Sequence, residues 1–192
     1  ADGTDRTDWD NPYLLFFGRL SSEKGVDVLV DAFIKDLPSL PAKLRLVIAG
    51  DGPERQNIEE KIAAAGAVAS DRIELVGFQS SADMQRHAEK ASLAIASSRW
   101  RENMPYSIVE AFASGTPVIG SEIGGIPELV VEGQTGLTCK PGDVDSLSQA
   151  ILRGARLIEN HEAYAAMQAN CRSYVLERCS QEKYMKDLTA LY

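Results

Sequence analysis

The chain has 192 residues, 44% of them hydrophobic and 25% charged, which suits a single folded domain with a buried core. Twenty basic side chains against 28 acidic ones give a formal net charge of −8 with no basic stripe, which excludes nucleic acid and anionic membrane surfaces as expected partners. Three cysteines without a CxxC pair (Cys139, Cys171, Cys179) point to reduced, idle thiols in a cytoplasmic protein, and no apolar run nears the roughly 18 residues that span a bilayer.

Residues 1–12, ADGTDRTDWDNP, carry four Asp against one Arg and show no apolar period, so they are expected to form a linker or arm outside the fold. From Tyr13 onward, short apolar runs ending in Gly or Ser alternate with amphipathic segments, the mark of repeated βα units. Strands are expected at 13–17, 44–49, 73–76, 93–96, 117–120 and 137–139. YLLFFG and LRLVIAG are almost continuously apolar, as strands covered by helices on both faces are. Val26, Leu29, Val30 and Phe33 recur at helical spacing, as do Ile58, Ile62 and Ala65, and shorter helices fit SSADMQRHAEKA and PYSIVEAFASG. Three more helical segments, near 143–159, 161–177 and 180–191, close the chain. The expected fold is α/β: a doubly wound parallel sheet of about six strands with a helical C-terminal tail, forming one domain over 13–192.

Such sheets bind ligands at the carboxyl ends of their strands, which directs attention to the loops there. GRLSSEKG sets Arg19 and Lys24 between a strand and a helix, with Gly18 allowing the backbone to turn close to a ligand. A cation at a helix N-terminus opposes the dipole unless an anion lies nearby, so this loop reads either as a phosphate site or as surface cations, with Lys24 paired to Glu23 or Asp27. AGDGPERQ opens with a GxG but places Arg55 where a dinucleotide fingerprint needs its third glycine, so Gly50 and Gly52 read as turn residues with Pro53 near the next helix start. An NAD-dependent dehydrogenase is correspondingly disfavoured.

In RENMPYSIVEAFASG, Pro105 suits the first turn of a helix over 105–114, leaving Glu102 in the loop and Glu110 in the second turn. The two carboxylates are then about 15 Å apart or somewhat less. That exceeds the ~5–10 Å of a glycosidase-like pair. It matches instead the length of a nucleoside diphosphate sugar, with a diol for each acid and the helix start facing the diphosphate; the alternative is a solvated Glu102 and a Glu110 paired to a neighbour. SEIGGIPELV places Gly124 and Gly125 before Pro127 at another helix start, through close approach to a ligand or through tight-turn geometry. His87 and His161 lack a third ligand at metal spacing, and Ser97 and Ser98 lack a nucleophile-elbow pattern.

GRLSSEKGVDVLVDAF, LRLVIAGDGP, IELVGF, ENMPYSIVEAFASGTPVIGSEIGGIPELV and GQTGL, in this order over most of residues 13–139, resemble the C-terminal, donor-binding domain of retaining GT-B glycosyltransferases of the group 1 type. The Glu102–Glu110 interval matches that family's E-x7-E motif. The resemblance implies a Rossmann-like domain in which Gly18, Arg19 and Lys24 meet the donor diphosphate and Glu110 holds the ribose hydroxyls. It places Glu102 near the donor sugar, gives the backbone at Asn103, Met104 and Pro105 to the phosphate or sugar, and assigns the base to the backbone around Gly77 and Phe78. Asn103 and Met104 replace the commoner Gly-Phe pair. The implied catalytic set is Glu102, Arg19 and Lys24, with a nucleotide sugar as substrate and neither a cofactor nor an obligatory metal.

The resemblance further implies retaining transfer to an acceptor such as a growing glycan or a lipid-linked sugar, as in polysaccharide biosynthesis. It implies a missing N-terminal, acceptor-binding domain, through which alone peripheral membrane contact would come. The isolated domain is expected to bind donor with little transfer. The family's last helix returns to the other domain, and Tyr184, Leu188, Leu191 and Tyr192 are candidates for its apolar face. Alternatives are the donor-binding subunit of a split transferase and a GT-B-fold sugar nucleotide epimerase.

Overall fold

A computed structural model describes residues 7–179. The expected helix over 180–191, with Tyr184, Leu188, Leu191 and Tyr192, and the first six residues lie outside the described residues. The strands are β1 Tyr13–Phe17, β2 Arg45–Ala49, β3 Ile73–Gly77, β4 Leu93–Ala96, β5 Val118–Ser121 and β6 Gly136–Cys139. They form one sheet in the order β3-β2-β1-β4-β5-β6, with every neighbouring pair parallel. The helices are α1 Val26–Asp36, α2 Arg55–Ala64, α3 Ala67–Arg72, α4 Ser81–Lys90, α5 Tyr106–Ser114, α6 Ile126–Leu129, α7 Val144–Glu159 and α8 His161–Arg178.

Both faces of the sheet are covered, as the continuous apolar strands require. Alternate residues of a strand point to opposite faces. Leu14 and Phe16 of β1 pack with Leu46 and Ile48 of β2 in the cluster that holds Leu29 and Phe33 of α1 and Leu147 and Ile151 of α7. Tyr13 and Leu15 join Val47 and Ala88 in another cluster, and Ala94 of β4 joins Ile108 and Phe112 of α5 and Cys171 of α8. Several strand edges depart from expectation by one residue; at the start of β5 the cause is Pro117, which has no N–H, so that only its carbonyl serves the sheet, accepting from Ala94 at 2.9 Å.

Two features differ from the sequence reading. The polar opening segment does not remain outside the fold from Thr7 on. Thr7 is buried, the Asp8 N–H donates to the Lys90 carbonyl at 3.0 Å, and the Trp9 ring meets His161 and Tyr164 edge-on, with centroids 4.9 Å away in both cases. One indole among aspartates produces no hydrophobic period, yet it brings enough apolar area to anchor a segment. Helix α3 is also unanticipated, because AVASDR has no apolar period and buries only Ala69. Its last residue, Arg72, donates to the carbonyls of Leu37, Pro41 and Leu44 and so closes the α1–β2 connection. Pro53 lies before the N-cap of α2, Glu54, rather than within its first turn.

The strand order reverses between β1 and β4, where connections leave to opposite sides and open a crevice at the carboxyl ends. The loops after these two strands, 18–25 and 97–105, flank it.

Candidate functional site

The loop after β1 is built against its neighbours. The Gly18 N–H donates to Ala49 at 3.0 Å and the Leu20 N–H to Asp51 at 2.9 Å, tying it to the loop after β2. A Cβ on Gly50 or Gly52 would collide with the carbonyls of Gly18 and Leu20, so those glycines serve loop packing, in keeping with their reading as turn residues. The chain then makes a 3-10 turn, Ser22–Lys24, and enters α1 through Gly25 at φ 64°.

Lys24 therefore sits at the seam between the turn and the helix, and the loop after β4 grips it there. The Ser97 hydroxyl donates to the Lys24 carbonyl at 3.0 Å, and the Arg99 N–H donates to the Glu23 carbonyl at 2.8 Å. The Lys24 ammonium reaches across the crevice to Glu102 Oε2 at 2.8 Å. The other Glu102 oxygen accepts from the Ser98 hydroxyl, whose residue is buried. Asp27 pairs instead with the Arg99 guanidinium. Of the two partners considered for Lys24 from sequence, Glu23 and Asp27, neither takes it; the partner is an acid 78 positions away.

The glycine pair after β5 has a related explanation. A Cβ on Gly124 would come within 2.6 Å of the Glu102 backbone, one on Gly125 would collide with the Asn103 carbonyl, and the Gly125 N–H donates to the Glu102 carbonyl at 2.7 Å. The close approach anticipated for a ligand is made by the 102–103 segment itself. The site is thus three loops locked backbone to backbone, with Glu102 at the centre.

Asn103 and Met104 are exposed beside this seam, and Pro105 is buried as the N-cap of α5. No side chain caps α5 and no acidic residue lies in its first turn, which leaves its N-terminal donors open to an anion. Glu110 lies farther along α5, about 6 Å along the axis from Tyr106. It is exposed, and among the described residues its carboxylate has no hydrogen bond or ion pair. It is therefore not the neighbour-paired acid of the alternative reading.

A cavity of about 380 Å³ adjoins the crevice over the ends of β1, β2 and β3, lined by Phe17, Gly18, Arg19, Asp51, Phe78 and Met84 among others. Gly18, Arg19 and Phe78 were anticipated from the sequence. Gly77 ends β3 at φ 71°, turning the chain so that Phe78 stands at the rim 84% exposed. Phe17, Asp51, Met84 and the Glu102 partner Ser98 were not; the signal for Phe17, Asp51 and Ser98 is position at strand ends, which becomes readable only once the strand order is known, and Met84 reaches the cavity from within α4. The structure brings Lys24 together with Glu102, and Arg19 together with Phe78. It places Glu110 on α5, apart from any side-chain partner.

A doubly wound parallel sheet in 3-2-1-4-5-6 order places the chain in the class of Rossmann-like domains. The family model described as glycosyl transferases group 1 matches residues 5–174, and the chain belongs to that family. It is 27% identical over 183 residues to alpha-D-kanosaminyltransferase of Streptomyces kanamyceticus, covering 95% of this chain and 46% of that protein. It is 34% identical over 160 residues to lipopolysaccharide 1,2-N-acetylglucosaminetransferase of Salmonella typhimurium, covering 80% of this chain and 42% of that one. The crystal structure of Anabaena Alr3699/HepE in complex with UDP superposes with a TM-score of 0.80 at 25% identity, over 95% of this chain and 50% of that one. The sheet and helices match the Rossmann-like domains of GT-B enzymes, and the chain spans about half the length of these relatives. Among the described residues, no helix is long and apolar enough to cross a membrane.

Proposed function

We propose that this chain is the donor-binding half of a retaining glycosyltransferase and binds a nucleoside diphosphate sugar in the crevice between β1 and β4. The observation that carries the reading is the Lys24–Glu102 pair, which sets a cation for phosphate beside an acid for sugar hydroxyls at the point where such sheets bind nucleotides. Arg19 and Lys24 take the diphosphate, together with the open N-terminus of α5 and the backbone of 103–105. Glu110, which has no side-chain partner among the described residues, accepts hydrogen bonds from the ribose diol. The base enters the cavity beside Gly77 and Phe78. Binding of UDP by the Anabaena relative supports a nucleotide ligand of this kind.

In transfer, the bond from the anomeric carbon to the diphosphate oxygen breaks, the acceptor oxygen bonds on the same face, and the acceptor's hydroxyl proton passes to the departing diphosphate. Charge growing on the departing diphosphate meets Arg19, Lys24 and the α5 N–H groups, already oriented by the locked loops. These groups supply positive charge without an obligatory metal. The acceptor, a growing glycan or a lipid-linked sugar, is held by an N-terminal domain across the cleft, so this chain alone binds donor with little turnover. A thermal-shift screen against UDP, GDP, ADP and their sugars tests the reading, because a ligand of the native state raises its apparent stability. One nucleotide series is expected to raise the transition and Lys24→Ala to weaken that response at least about tenfold in affinity. No shift with any series, or an unchanged response in the variant, would refute it.

A further inference from the structure

Within the crevice, Lys24 and Glu102 offset each other's charge. Glu102 uses one carboxylate oxygen for Lys24 at 2.8 Å and the other for the Ser98 hydroxyl, and its side chain is only 19% exposed. An anion that draws Lys24 away leaves Glu102 with Ser98 alone, partly desolvated and next to newly arrived negative charge. At such depth the repulsion is less screened than between surface groups. Arg19, the other cation of the loop, is exposed and among the described residues has no ion pair, so it can meet an anion without disturbing Glu102.

We infer that the Lys24–Glu102 pair makes the site discriminate against a bare nucleoside diphosphate relative to one carrying a sugar, an inference that rests on the donor-site reading above. The terminal phosphate of the bare diphosphate carries extra negative charge, which Lys24 and Arg19 favour, and Glu102 offsets that preference. A bare diphosphate offers Glu102 only acceptors, whereas sugar hydroxyls donate to it and replace the lost ammonium. The pair thus lowers retention of the spent diphosphate after the sugar has left. Ser98 is the positioning residue: buried behind Glu102, it holds one carboxylate oxygen so that the other meets Lys24.

Calorimetry on the full 192-residue chain with UDP and with UDP-glucose tests this, using GDP with GDP-mannose and ADP with ADP-glucose where the uridine pair does not bind. Glu102→Gln keeps the shape and removes the charge. It is expected to tighten UDP about threefold to tenfold, the range of a partly exposed ion pair, while UDP-glucose gains nothing or weakens. In the Lys24→Ala background the same substitution is expected to give a smaller gain for UDP, since no ammonium remains to be released. A Glu102→Gln variant that leaves UDP affinity unchanged, or tightens both ligands equally, would overturn the inference. If Lys24→Ala weakens both ligands and yet Glu102→Gln does not separate them, the donor-site reading stands and this inference alone falls. If Lys24→Ala leaves both affinities untouched, or no nucleotide binds the parent chain, both fall.

Discussion

Gly25 and Ser97 are held so close that a side chain on the glycine would occupy the space of the Ser97 carbonyl oxygen, and Gly25 is left-handed as well, at φ 64°. This contact fixes the height at which α1 begins against the loop after β4, and hence the reach of Lys24 toward Glu102. Gly25→Ala is expected to destabilise the fold by at least ~2 kcal/mol, from the left-handed conformation plus displaced backbone. Denaturant unfolding reads that loss. Nucleotide affinity is expected to fall with it although Gly25 has no side chain to offer a ligand; a variant of parental stability and affinity would show that the loops are not locked as described.

Glu110, proposed above to hold the ribose diol, can be tested separately from the fold. Its carboxylate has no partner among the described residues, so Glu110→Gln is expected to leave ligand-free thermal unfolding unchanged. Affinity for the nucleotide that binds is expected to drop roughly tenfold, about one charge-assisted hydrogen bond to the ribose. Equal affinity in variant and parent, measured by calorimetry, would remove Glu110 from the site.

Six strands were legible from apolar runs, because a sheet covered on both faces leaves little room for polar residues, and the observed edges differ by one residue, at the starts of β2 and β5 where Pro41 or Pro117 governs the backbone donors and at three further edges. The acids and cations of the crevice were legible as residue types in strand-end loops. Their pairing was not: Lys24 and Glu102 are 78 positions apart, and only the β1–β4 adjacency brings them together. The Gly124–Gly125 pair was visible, but what it accommodates was not, since a glycine records the need for space without naming the occupant. Trp9 and Arg72 escaped notice for a shared reason. Each acts through a single side chain in a segment whose average character is polar.

Trp9 offers a direct check on the opening segment. Its ring rests on His161 and Tyr164, and the Tyr164 hydroxyl in turn donates to the Ser92 carbonyl at 2.6 Å. Trp9→Ala is expected to cost ~1–2 kcal/mol, below the 3–5 kcal/mol of a fully buried tryptophan because the ring is half-buried. For a domain of this size, that lowers the thermal midpoint by roughly 2–8 °C. An unchanged midpoint would return the segment to the role of a free linker.

Asp36 carries a pH dependence of known sign. It lies at the end of α1 against α7, one carboxylate oxygen accepting from Ser148 at 2.7 Å and the other buried without a partner among the described residues. Burial pushes its pKa above the ordinary 3.8, with Ser148 and Lys35 opposing the shift. Between the unfolded and folded values the native state holds more protons than the unfolded chain, so the contribution of Asp36 to stability is full below the unfolded pKa. It is lost as pH rises through the folded one. Asp36→Asn, neutral at every pH, is expected to gain on the parent as pH rises from the ordinary carboxylate value through the raised one and then to hold that advantage. Denaturant midpoints of both proteins across this range measure the difference, and a gap that stays constant with pH would show that Asp36 titrates alike in the folded and unfolded chain.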